Sequence, residues 1–121
     1  MAYEVKKDEQ LEMVDVRYSD RVPVAERVLA LDETLEILRA TEIRRILIDY
    51  DRARLPDDPI PTQSGFATLI ATNAELKRCR IAFVGRAGHT FNIAVENMSS
   101  ARGYSFERFF DRDSALAWLL A

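Results

Sequence analysis

The chain has 121 residues, 48% of them hydrophobic, with 17 basic and 20 acidic side chains and a formal net charge of -3. That length suits one domain with a real core, expected to span residues 1–121. The two signs of charge are interspersed without a basic stripe, which argues against a nucleic acid partner. No apolar run approaches the length of a membrane span, and the N-terminus lacks the basic and apolar regions of a signal peptide. The single Cys79 excludes an internal disulfide and fits a reducing, cytoplasmic setting.

Residues 3 to 18 read as an antiparallel hairpin. Tyr3 and Val5 alternate with Glu4 and Lys6, Asp8-Glu9-Gln10 can turn, and Leu11, Met13, Val14, Val16 and Tyr18 follow at roughly period two, with a slip at Met13-Val14. Ser19 to Pro23 breaks the pattern, and Pro23 suits the first turn of a helix. Val24, Val28, Leu31, Leu35 and Leu38 then recur at helical spacing, with Glu26, Arg27, Asp32, Glu33, Glu36 and Arg39 on other faces. This predicts an amphipathic helix whose stripe covers a sheet.

Arg44-Arg45-Ile46-Leu47-Ile48-Asp49-Tyr50-Asp51 is the centre of the chain. Its short, β-branched apolar run predicts a strand buried on both faces, as in a parallel sheet flanked by helices. Ligands and partners of such sheets gather at the carboxyl ends of the strands. Asp49 and Asp51 stand there on one face, with Tyr50 opposite. They are candidate binding carboxylates, although turn formation, helix capping and pairing with nearby arginines are the preferred explanation of Asp there. Arg52 to Pro61 holds three prolines and two aspartates and predicts a long irregular loop.

The next helix is expected to start at Thr62 or Ser64 as its cap, and to carry Phe66, Leu69, Ile70 and Leu76. Ile81-Ala82-Phe83-Val84 is a second buried strand. Gly85-Arg86-Ala87-Gly88 leads into a third helix with Phe91, Val95 and Met98 inward and Gly103 as its C-terminal cap. Tyr104 to Phe110 is a further strand, and Asp111 caps a last helix holding Ala115, Leu116, Trp118, Leu119 and Leu120. The order β-β-α-β-α-β-α-β-α predicts an α/β fold: a mixed central sheet of about five strands, the N-terminal hairpin antiparallel and the rest parallel, with about four helices.

No catalytic set assembles from these residues. The lone His89 lacks a nucleophile or orienting carboxylate beside it, a metal site needs more ligands than His89 and Cys79 provide, and Gly85-x-x-Gly88 lacks the Lys-Ser/Thr of a phosphate loop. Cys79 reads as a small buried hydrophobe. Neither a catalytic residue, a metal nor a cofactor is expected.

Ala101-Arg102-Gly103-Tyr104, Phe109-Phe110-Asp111 and Ala115-Leu116-Ala117-Trp118-Leu119 resemble the closing pattern of SpoIIAA-like proteins, within the wider STAS group of small α/β domains. The hairpin, the long helix and Arg45-Ile46-Leu47-Ile48-Asp49 fit the same plan. The resemblance implies a non-enzymatic regulatory or binding domain. In anti-sigma-factor antagonists of that group a serine in an Asp-Ser-Ser-Gly-like segment is phosphorylated to control partner binding. Thr62-Gln63-Ser64-Gly65 resembles part of that segment but lacks its aspartate and has Gln63 in place of a serine. The group is also similar to the small lipid carriers of CRAL-TRIO type, which implies an apolar cleft.

The expected site is therefore Asp49, Asp51, Thr62, Ser64, Gly65 and Phe66. Its partner is a protein or, alternatively, a small apolar ligand beneath the helix at residues 62 to 76. The sequence leaves room for a homodimer and gives no ground for stable membrane insertion.

Overall fold

The computed structural model describes residues 2–54, 58–85 and 103–121. Strands β1 (Tyr3–Asp8), β2 (Met13–Arg21), β3 (Arg45–Arg54), β4 (Arg80–Val84) and β5 (Ser105–Phe109) form one sheet in sequence order. β1 is antiparallel to β2, and every other neighbouring pair is parallel. Four described helices accompany it: α1 (Val24–Ala40), α2 (Ile60–Ala71), the single turn α3 (Ala74–Lys77) and α4 (Arg112–Leu119). The expected third helix, with His89 and Phe91, and the Gly85-x-x-Gly88 turn lie in or run into residues outside those described.

The sheet is buried on both faces because its central strands carry apolar side chains in both alternating sets. Val14, Val16, Tyr18, Ile46, Tyr50, Ile81 and Phe83 point to one face, where Ala30, Leu31, Leu35 and Leu38 of α1 cover them. Met13, Leu47, Ala82 and Val84 point to the other, against Ala115 and Leu119 of α4. The slip at Met13-Val14 is thus no irregularity, since the two residues serve opposite faces. Ile48 departs from the expectation of full burial and is half-buried, whereas Leu47 is 0% exposed.

Two boundaries differ from those read from sequence. β2 runs on through Ser19 to Arg21, and β3 through Arg52 to Arg54, where a break and a loop are expected from composition. Among the described residues the two tails form strand pairs with each other, Ser19 with Arg52, Asp20 with Ala53 and Arg21 with Arg54, since β4 ends opposite Asp49, and the Ser19 backbone N–H also donates to the Ala2 carbonyl at 2.9 Å. A ribbon projecting past its sheet can keep charged side chains in water, with Ala53 alone buried. The register shifts between Arg17 and Ser19, so that β3 carries one extra residue there.

The second helix is also displaced. It starts at Ile60 with Pro59 as N-cap and Pro61 in its first turn, so neither Thr62 nor Ser64 caps it. It stops at Ala71, and Asn73 caps α3 by accepting from the backbone N–H of Glu75 and Leu76. Prolines exclude regular structure from a helix interior, not from its first turn, where their missing N–H has no partner to lose. As expected, Asp111 caps α4, accepting from the Ser114 backbone N–H at 2.7 Å. Gly103 has φ +79°, the left-handed conformation that favours glycine.

Candidate functional site

The carboxyl ends of the parallel strands open onto a polar groove of about 600 Å³. Arg17, Asp49, Asp51, Arg52 and Arg112 line it, with Phe110 at 67% exposure beside them. Arg112, in the first turn of α4, reaches back over the sheet. Its two terminal nitrogens donate to Asp15 and Asp49, each at 2.8 Å. Asp15 also accepts from Arg17 at 3.1 Å. Burial works to lower the Arg112 pKa, but the hydrogen bonds and charges of Asp15 and Asp49 outweigh it and raise the value. The other Asp49 oxygen accepts from the Asp51 backbone N–H at 2.9 Å, across the bulge. Asp49 therefore holds both the bulge and α4.

The opposite face of the sheet carries an aromatic row. Tyr18 stacks on Tyr50 at 4.8 Å, Tyr50 on Phe83 at 6.5 Å, and Phe106 meets Phe83 edge-on at 5.8 Å. Between this row and helices α1 and α2 lies a narrow cavity of about 50 Å³, lined by Ile46, Ile48, Tyr50, Phe66, Ile70, Ile81, Phe83 and others. Burial, followed by the neighbouring Tyr50, pushes the Tyr18 hydroxyl well above its ordinary pKa.

Arg27 of α1 also lines this cavity and is only 3% exposed. Its guanidinium lies over the Phe66 ring at 5.2 Å and 3.5 Å from the carboxylate of Asp58. The same carboxylate accepts from the Val24 backbone N–H at 3.2 Å, which supplies the cap that Pro23 cannot provide. Asp58 thereby ties the starts of α1 and α2 together. At its other end α2 is tied by Tyr104, whose hydroxyl lies 2.8 and 2.7 Å from the carbonyl oxygens of Ile70 and Asn73.

The six expected site residues fall into two places. Asp49 and Asp51 belong to the carboxyl-edge groove on the α4 face. Thr62, Ser64 and Gly65 lie exposed on the first turns of α2, and Phe66, on the same helix, is buried against α1 on the other face. Sequence reading missed Arg27, assigned to a solvent face, and did not single out Asp15, Asp58 or Arg112. For Arg27 a signal existed: it lies three residues after Val24 and four before Leu31, on the apolar stripe itself. Cys79 is buried as expected, and burial pushes its thiol up to about 11. Among the described residues no group of three or more His, Cys, Asp or Glu side chains could hold a metal ion, and no helix is long and apolar enough to cross a membrane.

No family model matches the chain, and no curated protein matches it. Among solved structures it is similar to an uncharacterized protein of the DUF3478 family from Shewanella loihica PV-4, which has a SpoIIAA-like fold. The TM-score is 0.60 at 18% identity, and the match covers 98% of this chain and 92% of the other. The likeness is one of fold: this chain has a SpoIIAA-like α/β architecture.

Proposed function

We propose that this protein is a non-enzymatic binding domain that recognises a protein partner through the exposed side of α2. One observation carries the reading. From Pro59 to Asn73 no residue is charged, in a chain that is 31% charged overall, and Pro59 to Gly65 are all exposed. Ile60 is 77% exposed and Leu69 42%. Solvated helix faces normally carry charge, and the centres of protein interfaces are depleted of it. The same lack of charge speaks against a nucleic acid partner.

A substitution series on α2 tests this. Ser64→Arg and Leu69→Glu place charge on the face without touching the core. Each should abolish co-purification of the partner from host lysate and leave the melting temperature within a few degrees of wild type. Native mass spectrometry of the complex gives its stoichiometry and detects a second copy of this chain as partner. Undiminished co-purification by both variants would overturn the reading.

A second reading, binding of a small apolar ligand, is supported by the cavity beneath α2, which Phe66 and Ile70 line. Its volume of about 50 Å³ falls below the roughly 150 Å³ that admits a benzene ring. A larger ligand requires α2 to move outward.

A further inference from the structure

We propose that the outer edge of β1 pairs with the same edge of a second copy of this chain, joining two sheets into one about a two-fold axis at Val5. This surface shares no residue with the α2 face described above. β1 closes one side of the sheet, and among the described residues no backbone group pairs with its outer side. The Ser19 backbone N–H donates to the Ala2 carbonyl across the hairpin. By alternation Glu4, Lys6 and Asp8 also turn their backbone groups toward β2, and Tyr3, Val5 and Lys7 present theirs to the free edge.

The order of charges on β1 selects one register. In an antiparallel pair an outward residue faces an outward residue, so a symmetric pairing is centred on a residue and never between two. Centred on Glu4, it sets Glu4 against itself, and centred on Lys6, it sets Lys6 against itself. Centred on Val5, it sets Glu4 of each copy against Lys6 of the other and Tyr3 against Lys7, with about six backbone hydrogen bonds. Charged residues on an edge strand normally guard it against pairing. Here they make one register attractive and its neighbours repulsive. Arg17 stands beside Glu4 and Asp15 beside Lys6 on β2, so signs alternate along a row that crosses the seam.

The other face of the sheet adds an apolar contact. α1 borders the free edge: Glu26 accepts from the Ala2 backbone N–H at 3.4 Å, and Glu33 accepts from the Tyr3 hydroxyl. Leu29 lies between those two on the same side of the helix and is 49% exposed. A two-fold axis normal to the sheet keeps both copies of α1 on one face, each with its Leu29 toward the seam. Lys7 of the second copy, opposite Tyr3, then approaches the Glu33 carboxylate.

Analytical ultracentrifugation of the full chain should show a dimer whose population rises with concentration. Glu4 and Lys6 are exposed, so reversing their charges leaves the fold intact. Glu4→Lys and Lys6→Glu should each weaken the dimer about tenfold. An equimolar mixture of the two variants, one isotope-labelled, should recover it as a heterodimer in native mass spectrometry. The amides of Tyr3, Val5 and Lys7 should exchange more slowly as concentration rises, while those of Glu4 and Lys6 stay protected throughout. A monomer at every concentration up to about 1 mM would overturn the proposal. So would a dimer indifferent to both reversals, a mixture that fails to recover it, or a dimer dispersed by Ser64→Arg on α2 instead.

Discussion

Leu47 and Ile48 are neighbours in one apolar run, yet they carry different weight. Leu47 is 0% exposed between β3 and α4, while Ile48 is half-buried at the edge of the cavity. Leu47→Asp places an unpaired charge in the core and should destabilise by about 4 kcal/mol or more, so that no folded protein is recovered by circular dichroism. Ile48→Asp should be milder. Arg112 gives a second case. Arg112→Met leaves Asp15 and Asp49 without the cation they share, and about 2 kcal/mol of stability should be lost in urea unfolding. Adding Asp15→Asn and Asp49→Asn to that variant should recover part of the loss, because the carboxylates that lost Arg112 no longer carry charge. Failure of that recovery would show that Arg112 acts through its packing alone.

For the elements, the decisive residues are those at boundaries. Ser64 lies in α2 beyond its cap and exposed, so Ser64→Ala should change stability by no more than about 0.5 kcal/mol in thermal unfolding. A loss near 1 kcal/mol, typical of a removed cap, would mean that the helix starts elsewhere. The tails of β2 and β3 are paired from Ser19 to Arg21 and from Arg52 to Arg54, so amides there should be protected in hydrogen exchange despite their charged composition. Free exchange across both tails would place the loop where composition alone expects it.

At the scale of the molecule, pH acts on the fold from two sides. The backbone N–H and hydroxyl of Ser114 lower the Asp111 pKa. A depressed carboxyl contributes stability that is complete above its ordinary value near 4 and is lost as pH falls through the depressed one. The melting-temperature gap between wild type and Asp111→Ala should therefore close only as pH falls below about 4. Cys79 works in the opposite direction. Its raised thiol pKa keeps the proton in the folded state, so its contribution is full below 9 and declines as pH rises to about 11. Alkylation at pH 8 should accordingly be slow until the protein is unfolded.

Periodicity was enough to read the hairpin, the amphipathic α1, the buried β3 and β4 and the Asp111-capped α4, because each declares itself within a few residues of local pattern. The mixed five-stranded sheet followed from their order. What local pattern could not decide was anything set by a distant neighbour. Arg52-Ala53-Arg54 becomes strand because Ser19-Asp20-Arg21 lies beside it. Arg27 turns inward because Asp58, 31 positions later, and Phe66 come to meet it. Asp49 and Ser64, grouped by their shared place after the central strand, are parted by the sheet itself, since alternate residues of β3 face α4 and α1. Helical spacing put Arg27 on the apolar stripe, but which partner would meet a charged side chain there was set by residues distant in sequence, and only the tertiary structure supplies that partner.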